Sequence, residues 1–220
     1  MRTPLNAVIG FGRLVVDSLG ADNPARESAD QVLAAAGRLN SKLSDMMLCL
    51  DLENGRVVAG QTVENPAAII EENLHLWGKR AALAGIKLSF RDDAPGARVA
   101  IDPSHLVGIM NRLVDNAIIH GQGATAISVA MLKLEPNLIA LTVTDDGAGL
   151  TPELAARCQE AFLQGDMSVT RSGEGLGLGL HVVGRLAALY KGKLDITSPS
   201  PRGGVTATVT LPAANQAVES

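Results

Sequence analysis

Aromatic residues are scarce in this chain: three Phe, one Tyr and one Trp among 220 residues. A core must therefore be built from Leu, Val, Ile and Ala, which are plentiful. Cysteine is nearly absent too. Cys49 and Cys158 stand far apart and outside any metal-ligand spacing, so they read as buried free thiols of a reducing compartment. No apolar run approaches the roughly 20 residues that span a bilayer, and no stretch reads as a signal peptide. A soluble, cytoplasmic piece is expected, whose parent would reach a membrane only through segments not in this sequence. There is no basic excess: 19 Lys and Arg against 23 Asp and Glu give a net charge of −4. No basic stripe offers a footprint for nucleic acid.

What is present has a clear order. Residues 1–20 carry Leu5, Val8, Ile9, Val15, Val16 and Leu19 at helical spacing. After a Gly20–Pro24 break, Val32, Ala36, Leu39, Leu43, Met46 and Leu50 form a heptad-like seam on a second helix ending near Glu53. Two helices of this length cannot bury broad apolar faces against each other alone, so a dimeric four-helix bundle through residues 1–54 is expected. Arg56 to Val63 alternates loosely and reads as a strand, with a boundary near Gly60. Pro66 opens a helix, Ile86–Phe90 and Val99–Ile101 read as strands, and Asp102-Pro103 opens another helix. Ala126–Lys133 and Asn137–Thr144 read as a hairpin, and Pro152–Phe162 as a short helix. Leu163–Glu174 reads as a mobile lid, Leu178–Tyr190 as a helix, and Lys193–Ser198 with Val205–Leu211 as the last strands.

The chemistry centres on Asp145-Asp146-Gly147-Ala148-Gly149, which closes a β-prone run. A carboxylate at a strand end can accept a hydrogen bond from a buried partner, and Gly147 and Gly149 let the backbone approach that partner and turn with positive φ. By itself the motif is weak and reads first as an ordinary Asp-Gly turn after a strand. A second glycine segment, Gly175-Leu176-Gly177-Leu178-Gly179-Leu180, leads straight into a helix. Two glycine hinges around one site suggest a nucleotide held between a carboxylate and a helix N-terminus. Upstream, Arg112, Asn116 and His120 recur every four residues and share one helix face. That face suits either solvent or a Mg²⁺-nucleotide, with the Asn amide oxygen as a hard ligand and Arg112 and His120 assisting with phosphate charge.

Taken together these segments resemble the sensor histidine kinases of two-component signalling, over nearly the whole chain. Arg2-Thr3-Pro4-Leu5 resembles the tail of the H-box, Asp115-Asn116-Ala117 the N-box, and Asp145 to Gly149 the G1 box. Phe162 falls where the F-box has its Phe, Gly175 to Leu180 resembles the G2 box, and Gly204-Val205-Thr206 the last glycine/threonine element. The resemblance implies an α+β chain: a helical-hairpin dimerisation and phosphotransfer domain at 1–60, an ATP-binding GHKL-type α/β sandwich at 61–213, and a tail at 214–220. It implies ATP and Mg²⁺ as cofactors and the receiver domain of a response regulator as partner.

Carried over residue by residue, Asp145 would accept from the adenine amine and Asn116 would coordinate Mg²⁺, with His120 close to the phosphates. Gly147 and Gly149 would shape the adenine pocket. Gly175, Leu176, Gly177, Leu178 and Gly179 would hinge the lid and offer backbone N–H groups to the phosphates, and Thr206 would contact the adenine side. Thr3 would position the hydrolytic water of a phosphatase step. Arg112 stands where the family often has Asn, and Ile119 where Lys or Arg is common. The phosphoacceptor His would lie just before Met1, so a kinase core cut from a longer protein is expected. The alternative is a pseudokinase-like scaffold that binds nucleotide and a partner without autophosphorylation; another GHKL ATPase, such as an anti-sigma serine kinase, fits the helical hairpin less well.

Overall fold

A computed structural model describes residues 2–20, 23–134, 137–151, 153–155, 178–200 and 203–214, with side chains from Pro4 onward. The chain divides into two compact units, Met1–Leu50 and Asp51–Ser220.

The first unit is a helical hairpin. Helix α1 (Arg2–Ser18) and helix α2 (Pro24–Glu53) match the expected apolar spacing. Asn23 opens α2 by accepting from the Ala25 N–H at 2.9 Å. Arg26 reaches back to the last carbonyls of α1, donating to Leu19 O at 2.8 Å and Val16 O at 3.4 Å. A cation there satisfies carbonyls that the helix end leaves open. Several apolar residues of the hairpin are exposed: Phe11 is 69% exposed, Leu14 64%, Val32 55% and Leu39 52%. Cys49 is buried and forms no disulfide among the described residues; Cys158 lies outside them.

The second unit is a mixed five-stranded sheet with helices on one face. In chain order it contains β1 (Val63–Glu64), α3 (Pro66–Leu83), β2 (Lys87–Asp93), β3 (Val99–Ala100) and α4 (Pro103–His120). There follow β4 (Ala126–Leu134), β5 (Leu138–Asp145), α5 (Leu178–Leu189), β6 (Lys193–Thr197) and β7 (Thr206–Pro212). Sheet order is β2-β4-β5-β7-β6, with β2 parallel to β4 and the other pairs antiparallel; β1 and β3 form a separate two-stranded ribbon. Ile127, Val129, Leu141, Val143 and Val209 line the helix-facing side. They pack against Ile70, Trp77, Leu106, Ile109, Leu113 and Leu186, all essentially buried. The opposite face is hydroxylated. The register places Ser89, Ser128, Thr144, Thr206 and Thr197 side by side across all five strands.

One expected strand shrinks. Of Arg56–Val63, only Val63 pairs as strand. The preceding stretch is held by a side chain instead. The Tyr190 hydroxyl accepts from Gly60 N at 3.1 Å and Asp102 N at 3.2 Å, and meets His105 Nδ1 at 2.7 Å. With both acceptor positions used, the phenol proton goes to Nδ1. Gly60 is required because a Cβ there would come within 2.9 Å of Asp102 Cβ. Tyr190→Phe strips two backbone amides and an imidazole of their shared partner. We expect a loss of about 1–3 kcal/mol in urea unfolding followed by fluorescence of Trp77, which is 1% exposed. An unchanged midpoint would contradict this role.

Candidate nucleotide site

The site forms where β5, the exit of α4 and the β6–β7 turn converge. Alternation along β5 turns Ile139, Leu141 and Val143 inward and carries Asp145 inward with them. Its residue exposure is 4%. The strand end is fixed on both flanks, by pairing with Ile127 and by the bond from Asp145 N to Val205 O at 3.0 Å. Gly147 N donates to Asp145 Oδ1 at 3.0 Å. The other oxygen, Oδ2, has no hydrogen bond among the described residues and is not sealed from solvent. A nearly buried carboxylate that keeps one oxygen open can take a ligand donor there, and a ligand that presents an acceptor instead leaves that oxygen cut off from water and unpaired.

Backbone forms the walls around that carboxylate. A Cβ on Gly204 would land on Asp145 O and Oδ1, so only glycine lets the β6–β7 turn lie against it. Gly147 serves by close approach, since a Cβ would come within 3.0 Å of both Asp145 Oδ1 and Gly121 C; the positive φ of this turn falls on Gly149, at 77°. The turn is tied to the exit of α4 by Ala148 N donating to Gln122 O at 3.0 Å, and to the β6–β7 turn by Leu150 N donating to Ser198 Oγ at 2.7 Å.

The neighbouring carboxylate has a different task. Asp146 accepts from Thr125 Oγ1 at 2.6 Å, Thr125 N at 2.7 Å and Ala126 N at 2.9 Å. These bonds, the Thr125 hydroxyl first, hold its carboxyl at about 2 against an ordinary 3.8. Asp146 thus anchors the turn to the start of β4.

Helix α4 brings the polar face. Asp102 caps it, accepting from Ser104 N at 2.7 Å. Asn111 Oδ1 accepts from Trp77 Nε1 at 2.8 Å and Arg80 Nη2 at 2.9 Å, while Arg80 pairs with Asp115 at 2.8 Å. These contacts pin α4 on α3. Arg112 Nη1 donates to Gly108 O at 2.8 Å. The half-buried Asn116 amide makes no hydrogen bond among the described residues. His120 is exposed at the last turn, and so is Ile119, at 69%. A Cβ on Gly121, the residue after α4, would lie 3.5 Å from Asp145 Cβ, so the end of β5 and the end of α4 are close neighbours.

Other expected residues fall elsewhere. Thr206 is on the opposite sheet face from Asp145, its hydroxyl 2.9 Å from that of Thr144; Val205 occupies the Asp145 side. Leu178 and Gly179 open α5. His181, in that first turn, is buried, and burial, then Arg185, lowers its pKa, while Glu53 opposes this. Gly175, Leu176, Gly177, Phe162 and the Leu163–Glu174 segment lie outside the described residues, as do the Thr3 side chain and most of Pro152–Phe162. Sequence reasoning missed Ser198, Asp146 and the Trp77–Asn111–Arg80–Asp115 network. A Ser-Pro turn signal was the one hint at Ser198.

Residues 101–215 match the family of histidine kinase-, DNA gyrase B-, and HSP90-like ATPases. The chain belongs to that family. Its similarity extends beyond the ATPase region to sensor histidine kinases. It is 30% identical over 214 residues to the sensor-like histidine kinase SenX3 of Mycobacterium tuberculosis H37Rv, covering 97% of this chain and 51% of that protein. The chain thus spans about half the length of the curated relatives it matches first. Its fold matches full-length ShkA in complex with AMPPNP, with a TM-score of 0.74 at 22% identity, over 97% of this chain and 44% of ShkA. It also matches the Acinetobacter baumannii histidine kinase AdeS, with a TM-score of 0.65 at 18% identity, over 97% of both chains. The helical hairpin followed by a mixed sheet with helices on one face is the histidine kinase fold. No helix among the described residues is long and apolar enough to cross a membrane.

The Asp146 anchor makes an acid-side prediction. Its carboxyl is held below its unfolded value, so its stabilisation is complete above about pH 3.8 and fades as pH falls through about 2. Asp146→Ala should be less stable than wild type near neutrality, and the gap should close on acidification from about pH 4 to about pH 2. Unfolding curves that stay equally separated across that window would contradict it.

Proposed function

We propose that this chain is the kinase core of a sensor histidine kinase that binds Mg²⁺-ATP, phosphorylates a His in the H-box and passes the phosphoryl group to an Asp of a response regulator. The observation that carries the nucleotide half is the buried Asp145 carboxylate with Oδ2 unclaimed. An adenine amine supplies the donor it needs, whereas guanine presents a carbonyl at the same position. The mismatch costs on the order of 2 kcal/mol or more, roughly 30-fold in affinity. Gly147 and Gly149 give the base a backbone wall. Thr206 faces away from this carboxylate and is left out of the base contacts.

Asn116 fits a hard cation: its amide is half-buried, lies on the helix whose following residue, Gly121, approaches Asp145, and makes no hydrogen bond among the described residues, where its neighbours Arg112 and Asp115 are engaged. When bound there, Mg²⁺ would supply charge neutralisation across the phosphates. His120, exposed at the last turn of α4, is assigned to a phosphate on this reading. Gly175 to Gly179 are assigned to the phosphates on this reading, since glycine lets backbone N–H groups approach an anion closely and the first N–H groups of α5 suit one. The chain's own work is positioning, which is most of what phosphoryl transfer requires.

The hairpin supports the other half. Its uncovered apolar residues Phe11, Leu14, Val32 and Leu39 favour pairing with a second copy through residues 1–54 and docking of a receiver domain on the same bundle. Thr3 is assigned to the phosphatase step. The domains on this reading are 1–60, 61–213 and a tail at 214–220, working in the cytoplasm.

Two substitutions test the site by calorimetry. Asp145→Asn should weaken ATP binding by roughly 30-fold or more while leaving the unfolding midpoint nearly unchanged; retained affinity contradicts the adenine assignment. Asn116→Ala should preserve metal-free nucleotide binding and abolish the gain on adding Mg²⁺. An undiminished Mg²⁺ response would move the metal ligand elsewhere.

A further inference from the structure

Ser198 sits in the turn after β6, away from every motif discussed above, yet its hydroxyl joins two walls of the nucleotide site. Its Oγ accepts the Leu150 N–H at 2.7 Å and donates to Gly204 O at 3.3 Å. A hydroxyl is the smallest side chain that can accept from one group and donate to another in this way. Leu150 ends the glycine turn that begins at Asp145. Gly204 is the residue whose backbone presses on the Asp145 carboxylate. The contact is close on the first side too, since a Cβ on Gly149 would lie 2.9 Å from Ser198 Oγ.

Hydrogen bonds among the described residues of the β6–β7 turn carry this link further. Ser200 N donates to Gly204 O at 2.7 Å, and Gly203 N donates to Ser200 O at 2.9 Å. The Gly204 carbonyl therefore has both acceptor positions filled, one by the backbone of its own turn and one by Ser198. Asp145 itself is fixed by its N–H bond to Val205 O, one residue further on. The carboxylate is thus flanked by Gly147 on one side and Gly204 on the other, and the Ser198 side chain ties these two turns to each other.

We infer that Ser198 is a positioning residue for base selection: it fixes the spacing of the two turns that enclose Asp145 and so aims Oδ2 at the exocyclic amine of adenine. This rests on the adenine reading of Asp145. Without the hydroxyl, the part-buried Leu150 N–H loses its acceptor and the glycine turn is free to draw back from Gly204. The carboxylate then samples more orientations. An amine donor suffers from that, while a guanine carbonyl, which opposes the carboxylate in its fixed position, does not.

The test is calorimetric titration of ATP and GTP into the wild-type chain, Ser198→Ala and Asp145→Asn, with Trp77 fluorescence reporting the fold. Ser198→Ala should bind ATP about tenfold more weakly with GTP affinity unchanged, so the ATP-to-GTP preference shrinks by the same factor. Equal losses for both nucleotides, or an unchanged preference, overturn the inference. If Asp145→Asn keeps wild-type ATP affinity, the adenine reading has failed and this inference falls with it. If Asp145→Asn loses ATP while Ser198→Ala keeps the wild-type preference, only the positioning role fails. Should Ser198→Ala not fold, amide exchange in the nucleotide-free wild-type chain decides: a protected Leu150 N–H supports the clamp, and exchange at the unfolded rate overturns it.

Discussion

A nearly buried carboxylate with one oxygen bound and the other left open is the constraint on which this architecture turns. Asp145 occupies an inward position of β5, where its strand-mates are Val143 and Leu141. A hydrocarbon at that position would extend the core at no polar cost. The acid instead requires the surrounding backbone to come close without side chains, which explains glycine at 147 and at 204. It also requires a turn firm enough not to swing the charge into solvent. Three separate segments supply that firmness: the exit of α4 through Gln122, the start of β4 through Asp146, and the β6–β7 turn through Ser198.

Adjacent acids show how environment divides labour. Asp146 has three donors in place and a carboxyl held at about 2, so it is ionised and fully engaged at neutral pH. Asp145 has one donor and an open oxygen. The same division runs along α4. Asn111 and Asp115 turn toward Trp77 and Arg80 and fasten the helix to α3. Asn116, on the next face, is left available. A polar residue committed to structure and one available for a ligand differ here by about a hundred degrees around the same helix.

The sequence made much of this legible because its signals were local. Helical spacing found α1, α2, α3 and α4, Pro66 and Pro103 marked two helix starts, and alternation found the β4–β5 hairpin and the last two strands. The glycines around Asp145 announced the turn. What local pattern could not carry was partnership across distance. Tyr190 holding Gly60 is a contact over 130 residues, and it explains why Arg56–Thr62 alternates without pairing as a strand. Ser198 gains its meaning only from Leu150. Thr206 was expected on the adenine side, but strand register against Thr144 puts its hydroxyl on the opposite face, a one-residue matter that composition does not reveal.

The central claim is that Asp145 Oδ2 is an acceptor built for the exocyclic amine of adenine. The most direct measurement compares ATP with inosine triphosphate, which carries a carbonyl in place of that amine, by calorimetric titration into the unmodified chain. The account predicts inosine triphosphate binding weaker by roughly 30-fold or more, because the carboxylate then faces an acceptor. Equal affinities would contradict it and remove the amine from the basis of recognition.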